Sequence, residues 1–225
     1  MRIIALIPAY NEEKNVCAVV RKTLPYVDYV LVVDDGSSDK TSEVAAQCGA
    51  TVIKNRENKG KADAMYRGFE YAVKNGFDVI VVLDADGQHD PDEIPIFIDK
   101  INEGFDIVVG ARQFDPSVMP KIRIFANAFS SWLTSLVCHS RISDSQSGYR
   151  AIKVDVVKKI RFNSKRYQIE TEMLIKAAKC GFKITFVPIK TIYRKEAKSK
   201  VNQIIDPLKF VFLVLKLSFW RCKSD

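Results

Sequence analysis

Two aspartates stand one residue apart in Leu83-Asp84-Ala85-Asp86-Gly87-Gln88-His89, at the end of the apolar run Val79–Leu83. If that run is a strand, both carboxylates leave the sheet near one point. Hard cations such as Mg²⁺ and Mn²⁺ prefer oxygen ligands and bridge carboxylates to phosphate oxygens. Asp84 and Asp86 are therefore candidates for holding a divalent metal, which would neutralise charge developing on a departing diphosphate. A competing reading is plain capping chemistry, since Asp90-Pro91 is a helix-start signature. Two further polar runs also follow apolar ones. In Asp34-Asp35-Gly36-Ser37-Ser38-Asp39-Lys40-Thr41 the paired carboxylates can accept hydrogen bonds from a base or ribose, or the segment is a turn with a cap. In Pro8-Ala9-Tyr10-Asn11-Glu12, Tyr10 can stack on a base and Glu12 can hydrogen-bond it.

The elements that must position these residues alternate. Ile3–Ile7, Tyr29–Val33, Thr51–Lys54, Val79–Leu83 and Ile107–Val109 read as buried strands. Between them, helical patterns fall near Asn15–Thr23, Thr41–Gln47, Lys61–Asn75 and Pro91–Asn102, the third with Ala62, Met65, Phe69, Ala72 and Val73 on one face. Such alternation predicts an α/β fold with a mostly parallel sheet flanked by helices. Ligands of such sheets bind beyond the carboxyl ends of the strands, where all three polar runs fall.

The second half reads differently. In 120–138, polar Arg123, Asn127, Ser130, Ser131 and Thr134 form one helical stripe and apolar residues the rest. Short strands are expected at Ala151–Ile152 and Lys183–Pro188, a helix over Lys165–Lys179, and an apolar helix over Leu208–Trp220. The net charge is +8, but residues 1–152 carry 17 basic and 21 acidic side chains, whereas 153–225 carry 18 and 6. That asymmetry suits a polyanionic partner, either nucleic acid or an anionic lipid surface, or else a solvated lysine-rich face. Aromatics are not interleaved with the charge as in a stacking platform, so a lipid surface is preferred over nucleic acid. No apolar run reaches membrane-spanning length. The 47% hydrophobic content excludes disorder. One domain over 1–200, including the amphipathic helix 120–138, and a membrane-associating helix over 201–225 are expected. In the last helix Phe210, Leu213, Leu217 and Trp220 would meet the bilayer, with Lys209, Lys216 and Lys223 at the headgroups; packing of both apolar helices on the sheet, or a homodimer, is the alternative. Five scattered cysteines without a CxxC pair, and no signal peptide, suggest reduced thiols in the cytosol.

Taken together, IPAYNE, VVDDGSSDKT, NKGKADAMYRGFEYA, VVLDADGQHDP, VVGAR, DSQSGYRAI and YRKEAKSK resemble, in order, family 2 glycosyltransferases with a GT-A type, Rossmann-like fold. More narrowly they resemble the dolichyl-phosphate mannose synthase group. The resemblance implies that Pro8, Tyr10, Glu12, Val33 and Asp35 hold the base and ribose. Asp84, Ala85 and Asp86 would meet the diphosphate and Mg²⁺ or Mn²⁺, with Asp86 and Gln88 as ligands. Arg112 would contact donor or acceptor phosphate, and Arg194 and Lys200 would clamp the diphosphate. Ala197 stands where the group usually has glycine.

A QxxRW motif is absent, and the nearest acidic pair is Glu170 and Glu172. A sugar hydroxyl needs a base to take its proton. A lipid monophosphate is already anionic at neutral pH and needs cationic positioning instead, for which Arg112, Arg123 and Arg194 are candidates. The expected reaction is thus inverting transfer of mannose, glucose or N-acetylglucosamine from a GDP- or UDP-sugar to polyprenyl phosphate, at the cytoplasmic face of a membrane. Transfer to a hydroxyl with Glu170 or Glu172 as base is the alternative, and a non-enzymatic nucleotide- or nucleic-acid-binding protein a more distant one.

Overall fold

The computed structural model describes residues 1–113, 121–164, 168–190, 192 and 205–222, without the side chains of 121, 123 and 205–208. Among the described residues seven strands form one sheet in the order β3-β2-β1-β4-β6-β5-β7. They are β1 (Ile3–Ala9), β2 (Tyr29–Asp34), β3 (Thr51–Lys54), β4 (Val79–Val82), β5 (Ile107–Arg112), β6 (Arg150–Lys153) and β7 (Ile184–Ile189). All neighbours pair parallel except β6, which runs antiparallel to both β4 and β5.

The sheet is covered on both faces because successive strand residues point opposite ways. Ile4 and Leu6 of β1 pack on one face with Met65 and Phe69 of α3 (Lys61–Lys74) and Met173 of α7 (Ile169–Lys179). Ala5 and Ile7 pack on the other with Val16 and Val20 of α1 (Val16–Thr23) and Phe97 of α4 (Ile94–Asn102). Burying side chains such as Met65 and Phe69 contributes about 1.5–3 kcal/mol each. The fourth expected helix is split. Asp90 accepts a hydrogen bond from Asp92 N and caps a 3₁₀ turn over Pro91–Glu93, after which α4 begins. Besides α2 (Thr41–Gln47), the chain forms a short helix that the sequence pattern did not announce, α6 (Val154–Lys159).

Two helices cover the C-terminal half, α5 (Lys121–Cys138) and α8 (Ile205–Ser218), and α8 packs on α5 and α7. The polar stripe of α5 faces inward: Ser130, Ser131 and Thr134 are buried, while Ile122, Phe125, Phe129, Trp132 and Leu136 are exposed. The last helix differs from expectation in which residues point out. Leu217 is buried, and Phe210, Leu213 and Trp220 pack against the core, with Trp220 beneath the Lys176 ammonium at 5.2 Å. Phe212, Leu215 and Phe219 are the exposed ones. Among the described residues no helix is long and apolar enough to cross a membrane.

The expectation of reduced thiols is overturned. Cys17 pairs with Cys48 and Cys180 with Cys222, with Cα atoms 5.4 and 5.2 Å apart, leaving Cys138 free and buried. Separation along the chain, 31 and 42 residues, says nothing about separation in space. Parallel winding lays α1 against α2, and α8 returns to the end of α7.

Candidate active site

The carboxyl ends of β2, β1 and β4 lie side by side, with Pro8 opposite Val33 and Ala9 opposite Asp34. The first two polar runs therefore knit together. Asn11 N donates to Ser37 Oγ, Glu12 N to Thr41 Oγ1 and Ser38 N to Asn11 Oδ1. Glu12 also accepts from Asn15 Nδ2, and Tyr10 leaves the sheet edge exposed. Pro8, Val33 and Ala85 are buried backbone supports of this edge. Asp35 is buried and turned inward: it accepts hydrogen bonds from Asn55 Nδ2, Lys59 N and Gly60 N, so its carboxylate shapes the Asn58-Lys59-Gly60-Lys61 loop. Gly36 has φ of +74°, and a Cβ there would lie 2.5 Å from the Glu57 carbonyl carbon, which makes glycine the residue for this turn.

The capping reading of the DADGQHD run holds for Asp90, which also bonds Lys22 Nζ at 2.6 Å. Asp84 and Asp86 stand at the open edge. The Asp84 N–H donates to His89 Nδ1, and buried His89 stacks on Tyr149, which closes the turn. Burial holds the His89 imidazole below its ordinary pKa. Asp86 accepts from Gln88 N and Nε2, both at 2.9 Å. Burial, then the neighbouring Asp84 charge, raises the Asp86 carboxyl above the usual range. The available donors are oxygens, which suits Mg²⁺ or Mn²⁺. Among the described residues no three His, Cys, Asp or Glu gather to enclose an ion. A half-shell fits cations that complete their coordination with water and phosphate oxygens.

Lys61 at the start of α3 bridges Asp84 Oδ1 at 2.6 Å and Glu170 Oε1 at 3.0 Å. Burial alone would push Asp84 up, but the Lys61, His89 and Arg112 charges outweigh it and hold the carboxyl at about 2. Burial likewise disfavours the Lys61 ammonium, and its two carboxylates more than compensate. Gly148 makes room for the pair: a Cβ there would lie 2.7 Å from Lys61 Nζ and 3.0 Å from Asp84 Oδ2.

The reversed direction of β6 brings its preceding loop to the same edge, something a parallel strand would not do. From that loop Asp144 grips Arg112 with two bonds, Nε–Oδ2 at 2.7 Å and Nη2–Oδ1 at 3.0 Å. Bidentate pairing of this kind fixes the plane of the guanidinium. Arg150, fully buried, donates to the carbonyls of Ser145, Ser147 and Glu170, and so ties the loop to α7. The loop rests on the polar stripe of α5, through Ser145 N to Ser131 Oγ, Gln146 Nε2 to Ser130 Oγ and Ile142 N to Ser135 Oγ.

The structure thus brings Asp84, Asp86, Gln88 and Arg112 to one edge with the Tyr10–Glu12 segment. Arg194 and Lys200, and the side chain of Arg123, lie outside the described residues. Of the acidic pair, Glu172 is engaged by Asn163 N, Ser164 N and Lys176 Nζ, whereas Glu170 reaches the site. Lys61 and Asp144 carried no role in the sequence reading. Lys61 had a signal: a cation in the first turn of a helix opposes the helix dipole and requires anions elsewhere.

The comparisons agree with this geometry. Residues 4–167 match the family model described as glycosyl transferase family 2. The chain is 34% identical to the UDP-N-acetylglucosamine–dolichyl-phosphate N-acetylglucosaminyltransferase of Methanococcus voltae, over 97% of each chain. It is 31% identical to the polyprenol monophosphomannose synthase of Mycolicibacterium smegmatis, over 89% of this chain and 81% of that one. Among solved structures, glucosyl-3-phosphoglycerate synthase from Mycobacterium tuberculosis, in complex with Mn²⁺, uridine diphosphate and glucosyl-3-phosphoglycerate, superposes with a TM-score of 0.70 at 21% identity, covering 100% of this chain and 81% of that one. The fold is therefore the GT-A type that the motifs implied, and the chain belongs to glycosyl transferase family 2.

Proposed function

We propose that this glycosyltransferase moves one hexose from a nucleotide sugar to a polyprenyl phosphate, with inversion, at a membrane surface. The observation that carries the reading is the inside-out α5. Its polar stripe supports the loop that grips Arg112, while five large apolar side chains on its other faces meet solvent. With Phe212, Leu215 and Phe219 of α8 they give an apolar surface suited to the lipid interface. The stretch 201–225 is then a membrane-associating addition to a catalytic body over 1–200. The two relatives named above, aligned over most of their length, are named for dolichyl phosphate and polyprenol monophosphomannose chemistry, which supports the acceptor class.

In this reading Pro8, Tyr10, Glu12 and Val33 cradle the base and ribose, and Asp35 sets the loop beneath them. Asp84, Asp86 and Gln88 would hold a divalent metal, which stabilises the leaving diphosphate when bound. Arg112, fixed by Asp144, presents its guanidinium to phosphate oxygens and orients the acceptor. Arg123, Arg194 and Lys200 are further phosphate contacts on this proposal. An acceptor phosphate oxygen attacks the anomeric carbon, the bond from that carbon to the diphosphate oxygen breaks, and the nucleoside diphosphate leaves with the electron pair. No proton has to be removed from the acceptor. The alternative, a hydroxyl acceptor, is favoured by one observation: Glu170 Oε2 is buried without a hydrogen-bond partner among the described residues.

The test is transfer from labelled GDP- and UDP-sugars to polyprenyl phosphate with Mn²⁺ or Mg²⁺. A chloroform-soluble product from one donor, lost with EDTA and reduced at least hundredfold in Asp86→Ala, is expected. Labelling of a sugar or lipid hydroxyl instead, abolished in Glu170→Gln, would overturn the phosphate acceptor.

A further inference from the structure

The most buried charges beside the two metal-facing aspartates are not those aspartates. The Glu170 side chain is 4% exposed and that of Lys61 14%, against 31% for Asp84. Lys61 opens α3, where the helix dipole disfavours a cation, and its Nζ occupies the space that Gly148 leaves empty. An ammonium in such a place is kept there by its carboxylates, and withdrawing either would leave a buried charge uncompensated. Glu170 retains a second oxygen, buried and without a hydrogen-bond partner among the described residues, so the bridge holds anionic capacity in reserve.

We propose that Lys61 is a positioning residue that acts as the resident counter-ion of this site: it occupies Asp84 in the nucleotide-free protein, disfavours a bare divalent cation, and makes tight metal binding depend on an arriving diphosphate. The inference rests on the metal-dependent reading above and deepens it. A divalent ion held by Asp84 and Asp86 shares a carboxylate with the ammonium, and like charges repel strongly in a partly dry cleft. A diphosphate adds negative charge and oxygen ligands of its own, which offsets that repulsion. Glu170 keeps Lys61 in place when Asp84 turns toward the metal. Metal and nucleotide are then coupled, and by linkage each raises the affinity of the other equally. The donor's own phosphates thus complete the site, and the protein does not load metal ahead of substrate.

The experiment measures Mn²⁺ binding by electron paramagnetic resonance at one neutral pH, and UDP and GDP binding by calorimetry with and without Mn²⁺. The proteins are wild type, Lys61→Met, Lys61→Arg and Glu170→Gln, each with its melting temperature. Wild type should bind bare Mn²⁺ weakly and gain at least tenfold in affinity for one nucleotide when Mn²⁺ is present. Lys61→Met should bind bare Mn²⁺ at least tenfold tighter and lose a matching share of the coupling, while Lys61→Arg retains it. Glu170→Gln should shift bare Mn²⁺ affinity the opposite way, which keeps the test decisive if Lys61→Met does not fold. Mn²⁺ affinity that is unchanged or weaker in folded Lys61→Met, or unchanged in Glu170→Gln, overturns the inference while leaving the metal reading intact. A wild type that binds neither nucleotide more tightly with Mn²⁺ overturns both.

Discussion

The carboxyl edge of the sheet and the α5/α8 surface are built on opposite principles. At the sheet edge nearly every polar group is spent: Asp34, Asp35, Asn55, Ser37 and Thr41 bond one another or the backbone, and apolar strands fill the layer beneath. At the α5/α8 surface the polarity is inverted, with hydroxyls inside and Phe125, Trp132, Phe212 and Phe219 in solvent. The first region is close to complete in water, because nearly all of its buried donors and acceptors have partners, with Glu170 Oε2 an exception among the described residues. The second leaves a large apolar area exposed, which soluble monomers rarely do without a partner. One region is organised to receive a polar ligand, the other to leave water.

The largest expected effect comes from the disulfides, one in each region. Closing loops of these lengths stabilises by about 2–4 kcal/mol per bond. Cys17→Ser should lower the unfolding free energy by that order and leave vesicle binding unchanged, because α1 and α2 lie away from the apolar surface. Cys222→Ser should lower it comparably and also weaken vesicle binding, because it releases the end of α8 from α7. Urea unfolding and vesicle sedimentation measure the two. Thiol titration should find no reactive cysteine in the native protein and one in denaturant, since burial pushes the Cys138 thiol up to about 12. Equal vesicle binding in the two serine variants would erase the distinction drawn between the regions.

A smaller effect separates the two faces of α5. Trp132→Glu and Phe125→Glu alter exposed positions, so stability should move by less than about 0.5 kcal/mol, while affinity for anionic vesicles falls at least tenfold. Thr134→Val alters a buried hydroxyl that donates to Ser130 O, and should cost about 1 kcal/mol with vesicle binding intact. Size-exclusion chromatography of Trp132→Glu adds a further outcome. A wild-type dimer that becomes monomeric would assign the exposed face to a second copy of the chain.

The same contrast explains what the sequence made legible. β1, β2, β4 and β5 were readable because their apolar runs end abruptly in polar motifs, and α3 because Met65 and Phe69 repeat at helical spacing. The amphipathicity of α5 was readable too. Its direction was not, since a helical pattern defines two faces without saying which one meets protein. In α8 and just beyond it the same ambiguity misassigned Phe210, Leu213, Leu217 and Trp220: they were given to the lipid and they pack on the core. β6 was visible as a strand but not as the reversed one, and that reversal brings Asp144 to Arg112. The disulfides were invisible because pairing depends on how α1, α2, α7 and α8 are laid together.

A further predicted effect is acid sensitivity confined to the sheet edge. Asp84 ordinarily titrates at 3.8 and in the folded protein at about 2, because the Lys61, His89 and Arg112 charges outweigh its burial. A carboxylate depressed by folding adds stability that is present above the ordinary value and disappears as pH falls through the folded one. The window is therefore roughly pH 4 to pH 2, and the contribution at most about 2 kcal/mol. Solvent reaches 31% of the Asp84 side chain, which reduces it further. Asp84→Asn removes the titration and leaves Lys61 with Glu170 alone, so its stability should be offset from wild type above pH 4 and converge on it by pH 2. Other depressed carboxylates, Asp39 and Asp92, titrate alike in both proteins and cancel in the difference. Urea midpoints of the two proteins measured from pH 5 to pH 2 decide the matter. Curves that stay parallel would mean that Lys61 does not hold Asp84 in solution, and the sheet edge would lose the charged bridge that sets it apart from the α5/α8 surface.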